Sequence, residues 1–203
     1  DTTEDLLLRW LEFGIFTPLM RNHSALGTRE QEAYRFSNKA ALRNIIRLRY
    51  CLLPYLYSEY MKAALNDTML FAPLAFGYPS DPHASQVEDQ LLLGESLMLA
   101  PVYQPNATGR YVYLPEDMLL VTTSGPEDLR FEKMTAGHHY VPAAEHELIF
   151  FVRKGHLLPL ADAAENVENV DASVLKVIAY PDTNTNAVCS YTLYDDDGYG
   201  KDY

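Results

Sequence analysis

The sequence predicts an α/β segment followed by an all-β region, and three observations carry that prediction. A short apolar run at 16–20 ends on Arg21, Asn22 and His23; a long helical pattern starts at Ser37; and beyond Asn66-Asp67 the pattern changes to short runs bounded by Gly, Pro, Asn or Asp.

The first element is a helix. Thr2 or Thr3 can cap it, Glu4 and Asp5 suit its first turn, Leu6, Leu7, Trp10 and Leu11 give it an apolar face, and Gly14 suits its stop. The chain opens on Asp1 and enters this helix almost at once, which reads as a piece cut from something larger. The run at 16–20 is short and apolar enough for a buried strand. In parallel barrels and open α/β sheets, residues just past the carboxyl end of a strand face the ligand. Arg21 and His23 therefore qualify as site residues, and alternation would turn Asn22 away. Residues 24–34 have no period and read as a loop, on which Thr28, Arg29, Gln31 and Glu32 could border a ligand.

From Ser37 or Asn38, as cap, Leu42, Ile45, Ile46, Leu48, Leu52, Leu53, Leu56 and Tyr60 recur at helical steps. Pro54 cannot donate to the Tyr50 carbonyl, so a kink is expected there rather than a stop. Tyr50, Tyr55, Tyr57 and Tyr60 read as core and rim packing rather than a sugar-stacking surface. Strands are expected at 69–76, 96–103, 110–114, 119–123, 138–141, 148–152, 157–160, 174–180 and 189–194, with a helical interlude at 85–94. Short strands at this spacing indicate an antiparallel sandwich. The acidic, small-residue stretch at 161–172 suggests a boundary, so the expected division is 1–67, 68–163 and 164–203.

Composition narrows the partners. The 203 residues are 48% hydrophobic, enough for a real core, and carry a formal charge of −12, which argues against nucleic acid or an anionic membrane surface. No apolar run approaches the roughly 18 residues of a membrane span. Cys51 and Cys189 fall in different predicted elements and read as buried thiols, pointing to the cytoplasm. The run 195–198, Asp-Asp-Asp-Gly, lacks the alternating ligands of a calcium loop and reads as a turn before Tyr203. His138-His139 and His146 have no matching ligand set, and Arg153-Lys154-Gly155 reads as a structural turn.

Several motifs occur in a fixed order: DLLLRWLEFGIFTPLMRNH from Asp5, LRYCLLPYLY from Leu48, DQLLLGESLMLAPV from Asp89, FVRKG from Phe151 and LYDDDG from Leu193. Together they resemble glycoside hydrolase family 31, the α-glucosidases and α-xylosidases, along essentially the whole chain. The resemblance implies the C-terminal part of a (β/α)8 catalytic barrel, its last strand and flanking helices, joined to an antiparallel β-sandwich and the start of a second β-domain. It implies a retaining hydrolysis of α-linked glucose from oligosaccharides, with no cofactor and no metal. It also implies that the two catalytic aspartates lie in motifs this chain does not match, so no nucleophile or proton donor is assigned within it. An upstream part of the barrel is then the chain's partner. By the same resemblance His23 would hydrogen-bond the sugar in the cleavage subsite and Arg21 would orient nearby carboxylates, with Arg29 and Glu32 at the rim. A non-catalytic carbohydrate-binding or structural sandwich is the alternative reading.

Overall fold

A computed structural model of the chain describes residues 2–28, 30–185 and 187–198. Helix α1 spans Glu4–Gly14, with the Thr3 hydroxyl accepting from the Leu6 amide as its N-cap. The buried side is Leu7, Leu8, Arg9 and Glu12, while Trp10 stands 61% exposed, so the face packed on the protein is rotated from the expected one. Leu8 and Ile15 settle against the sheet, and charge neutralisation lets Arg9 and Glu12 join them, as described below.

Residues 16–20 form turns rather than the expected strand. A parallel strand exists only if neighbours take its amides and carbonyls. Here those carbonyls go to a side chain: the Arg49 guanidinium donates to the carbonyls of Ile15 (2.8 Å), Thr17 (2.7 Å) and Pro18 (3.2 Å). Ile15 and Phe16 are still buried, Phe16 meeting Phe150 edge to face at 5.6 Å.

Helix α2 spans Lys39–Asn66 and passes through Pro54 without ending. Asn38 caps it through the Ala41 amide, and Asp67 in the left-handed region closes it. Glu4 ties the two helices together: its Oε2 accepts from the amides of Ser37 and Asn38 and from the Ser37 hydroxyl. Leu42, Ile45, Leu48, Leu52 and Leu56 are buried as the pattern demands, but Ile46 and Tyr60 are exposed. Of the four tyrosines only Tyr55 is wholly buried; its hydroxyl donates to the Leu93 carbonyl at 2.6 Å, accepts from the Ser96 amide, and its ring stacks on Tyr191.

Among the described residues ten strands follow: β1 Phe71–Pro73, β2 Leu91–Leu93, β3 Leu97–Leu99, β4 Gly109–Leu114, β5 Met118–Thr123, β6 Leu129–Met134, β7 Gly137–Pro142, β8 Leu148–Arg153, β9 His156–Leu160 and β10 Lys176–Tyr180, with a short helix α3 at Leu74–Gly77. One antiparallel sheet runs β1-β2-β3-β8-β5-β6, and two-stranded sheets pair β4 with β7 and β9 with β10. The central strands of the large sheet are buried on both faces. Leu97, Leu99, Leu119, Val121, Phe150 and Val152 pack with α1 and α2; Met98, Met118, Leu120, Ile149 and Phe151 pack with Val112, Leu114 and Val141 of the β4–β7 pair. Burial on two sides explains why β5 and β8 read as unbroken apolar runs, whereas β4 and β7 alternate.

Three expectations along the sheet are corrected. The helical interlude at 85–94 is a single 3-10 turn, Ala84–Gln86, followed by β2; β6 forms where no strand was expected; and 189–194 is irregular. That last segment lies on α2, with the Tyr194 amide donating to Ser58 Oγ at 2.9 Å. The turn expected before Tyr203 reaches into 199–203, outside the described residues. Arg153 is a structural residue, donating from Nε to Glu116 (3.0 Å) and the Tyr78 hydroxyl, while Gly155, at φ +84°, turns β8 into β9. Cys51 is buried, Cys189 is partly buried, and neither is in a disulfide.

Candidate functional site

The segment that emerges from the Arg49 clamp delivers Met20, Arg21, Asn22 and His23 to a surface groove of about 420 Å³. One wall is the exposed side of α1, with Leu6, Trp10 and Leu11; the other carries Arg21, Asn22, His23 and Gln31. Arg21 Nη2 lies 2.8 Å from His23 Nδ1. A guanidinium can only donate, so Nδ1 accepts and the imidazole proton resides on Nε2. The free edge of His23 is therefore a hydrogen-bond donor, aimed away from the guanidinium that fixes its tautomer.

Gln31 holds this wall together. Its amide nitrogen donates to the His23 carbonyl at 2.6 Å, its side-chain oxygen accepts from the Thr2 hydroxyl at 2.5 Å, and its backbone carbonyl accepts from the Asn22 side chain. Asn22 thus lines the same groove as its neighbours. The expectation that it turns away presupposed strand alternation, which this segment lacks. Glu32 is exposed and 4.0 Å from Arg35, away from the groove lining; Arg29 lies outside the described residues. No Asp or Glu is among the described residues that line the groove, and no three potential ligands gather anywhere among the described residues to hold a metal.

Behind the groove, α1 carries a buried charge cluster that the sequence did not disclose. Arg9 Nη1 donates to Glu12 Oε2 at 3.1 Å, and its two terminal nitrogens reach the carbonyls of Ala107 (2.9 Å), Glu147 (3.3 Å) and Ala143 (3.4 Å). Asp5 accepts from the Asn106 amide. These bonds fasten α1, and with it the groove wall, to two loops of the sandwich, the β3–β4 and β7–β8 connections. Burial drives the Glu12 carboxyl up to about 8 despite the opposing Arg9 charge, and its Oε1 has no hydrogen-bond partner. On a helix an Arg and a Glu three apart ordinarily read as a solvated pair; only the loops packed over them make the difference.

Known proteins share this fold and sequence. The Glycosyl hydrolases family 31 TIM-barrel domain matches residues 1–59, and the Glycosyl hydrolase family 31 C-terminal domain matches 67–158. Alpha-glucosidase 2 of Bacillus thermoamyloliquefaciens is 32% identical over 206 residues, 100% of this chain and 25% of the relative. Lysosomal alpha-glucosidase of Rattus norvegicus is 42% identical over 120 residues, 58% of this chain and 13% of that protein. A Flavobacterium johnsoniae dextranase complexed with isomaltotriose superposes with a TM-score of 0.81 at 30% identity, over 96% of this chain and 23% of its own. An α-xylosidase from Xanthomonas citri gives 0.78 at 29% identity, over 96% and 21%. The chain spans 25% of the length of the Bacillus relative and less of the others. Two consecutive domain models of one family, in order along the chain, and a fold shared with its solved members lead to one statement: the chain belongs to glycosyl hydrolase family 31.

Proposed function

We propose that this chain is part of a retaining α-glucosidase that releases terminal α-linked glucose from oligosaccharides. In this reading it supplies a substrate-binding segment and the β-domains, while the two catalytic aspartates and the rest of the barrel belong to another part of the protein. The observation that carries it is the Arg21–His23 pair in an open groove with no carboxylate among its described lining, in a chain whose whole length aligns with 25% of an α-glucosidase. The Nε2 proton of His23 would donate to a sugar hydroxyl, and a contact that tightens as the ring flattens lowers the barrier. Arg21 would hold that imidazole and, with its remaining donors, orient a carboxylate brought by the barrel. No cofactor or metal enters this reading. The division at 67 and 163 and a cytoplasmic location, which rests on the unpaired Cys51 and Cys189, belong to it too. The α-xylosidase among the structural relatives supports a second reading within the family, in which the sugar is xylose.

The test is His23→Ala in the full-length enzyme. Both His23 and its neighbours are exposed, so melting temperature should hold while kcat/KM for an aryl α-glucoside falls about a hundredfold, the loss expected for one donor worth roughly 3 kcal/mol. Unchanged efficiency would remove His23 from the site. Parallel assays with aryl α-xyloside decide between the two sugars.

A further inference from the structure

The outer face of the β4–β7 pair carries a ladder of rings that packing does not explain. Val112, Leu114 and Val141 point inward and are buried. Alternation then turns Tyr111, Tyr113, His138 and Tyr140 outward, where they form two cross-strand rungs, Tyr111 opposite Tyr140 and Tyr113 opposite His138. The first rung is an edge-to-face pair at 5.2 Å, with Tyr111 76% and Tyr140 49% exposed. The second is a tilted pair at 4.8 Å, extended by His83, whose ring lies 5.6 Å from Tyr113 and 5.7 Å from His138.

Asp81 organises that end. Its Oδ2 accepts from the Tyr113 hydroxyl at 2.6 Å and its Oδ1 from the His83 amide at 2.9 Å. At the other end Gly109 leaves room for Tyr140: a Cβ there would come within 2.8 Å of its hydroxyl and 2.4 Å of the Val141 carbonyl. The large sheet separates the ladder from α1 and α2, so it is remote from the groove around His23.

From this arrangement we infer that the β4–β7 face is a second carbohydrate-binding surface, one that stacks an α-glucan chain on Tyr111, Tyr140, Tyr113 and His138. Size favours such an occupant over a protein. Two six-residue strands present about 20 by 10 Å, about 200 Å², against the roughly 800 Å² per side of a stable protein interface. The chemistry agrees: the electron-rich ring faces attract the polarised C–H groups of a pyranose, while phenol and imidazole edges can meet its hydroxyls. A chain of charge −12 repels a polyanion there. The choice of an α-glucan rests on the α-glucosidase reading proposed above.

Affinity electrophoresis of the chain through native gels containing soluble starch or dextran tests this without any turnover. The wild-type chain should be retarded in at least one of them. Tyr111→Ala combined with Tyr140→Ala should weaken that binding more than about tenfold at unchanged melting temperature, whereas Tyr111→Phe and Phe131→Ala, a change at an exposed ring on β6, should retain it. Absence of retardation in both gels overturns the proposal, and so does retardation that survives the double substitution. If His23→Ala abolishes it and the tyrosine changes do not, the sugar sits in the groove; that outcome overturns this surface and leaves the α-glucosidase reading standing. A dimer seen by sedimentation and broken by Tyr111→Ala would assign the face to a second copy and likewise overturn it.

Discussion

Glu12 is a carboxyl group held where water cannot solvate its charge, with Arg9 as its one close counter-charge and Asp5 and Glu145 adding repulsion. Its folded value of about 8 lies above the ordinary 4.5, so between those limits the folded chain binds a proton that the unfolded chain releases. Stability therefore falls as pH rises through this window, by at most about 1.4 kcal/mol per pH unit for the one proton, and is level outside it. Glu12→Gln mimics the protonated form. It should be near neutral at pH 5 and raise the melting temperature at pH 8, flattening the pH dependence measured by thermal unfolding. A second residue-scale prediction concerns two glycines with left-handed backbone. Gly94 has φ +56° and its missing side chain makes room for the Glu59 carboxylate, which is pinned by the Glu95 amide at 2.9 Å and by Lys62 at 2.8 Å. Gly155 has φ +84° with open space around it. Gly94→Ala should cost at least about 2 kcal/mol in denaturant unfolding and Gly155→Ala only about 1, because the second incurs backbone strain without a collision.

At the scale of elements, the α2 residue Arg49 does the work of a neighbouring strand for residues 15–18. Arg49→Met keeps the stem and removes three carbonyl partners, so it should destabilise the chain by about 2 kcal/mol, with Arg49→Lys recovering only part, since one ammonium lacks the fork to reach all three. That substitution by a side chain also marks where sequence reading stops. Apolar residues at 16–20 announce burial, and Ile15 and Phe16 are buried, but whether the backbone pairs as a strand depends on partners the local sequence does not name. The strand β2 is three leucines, the last two of them buried in the sheet, a run with no period that by itself reads equally as helix. The strand β6 is an edge whose middle four residues are all exposed, so it shows no alternation at all. By contrast α1, α2, β4, β5, β7 and β8 are legible because each repeats its own period or an unbroken apolar run bounded by turn residues. Arg21 and His23 were legible as adjacent polar groups after an apolar run. Arg9, Glu12 and Arg49 were not, because their partners are carbonyls far along the chain or in another element.

For the whole molecule, the large sheet lies between two dissimilar layers, the helices on one side and the ringed β4–β7 pair on the other, with the Arg9 cluster bolting α1 to the sandwich loops. In the reading proposed above, the groove at His23 is one part of a site: it offers a donor, a guanidinium and apolar walls, and no carboxylate among its described lining. Retaining hydrolysis needs two carboxyl groups about 5 to 5.5 Å apart across the scissile bond. Glu12 cannot stand in, since it is buried behind α1 and bound to Arg9, and Glu32 lies outside the groove lining. The chain by itself should consequently hydrolyse no aryl α-glucoside while its groove, with the Arg21–His23 pair already formed, is folded and in place. Release of nitrophenol in proportion to the concentration of highly purified chain, and abolished by His23→Ala, would contradict this and require a carboxylate pair within these 203 residues. If the proposed reading holds, mixing the chain with a separately expressed remainder of the barrel should restore turnover, because the two carboxyl groups would then meet a groove that is already formed.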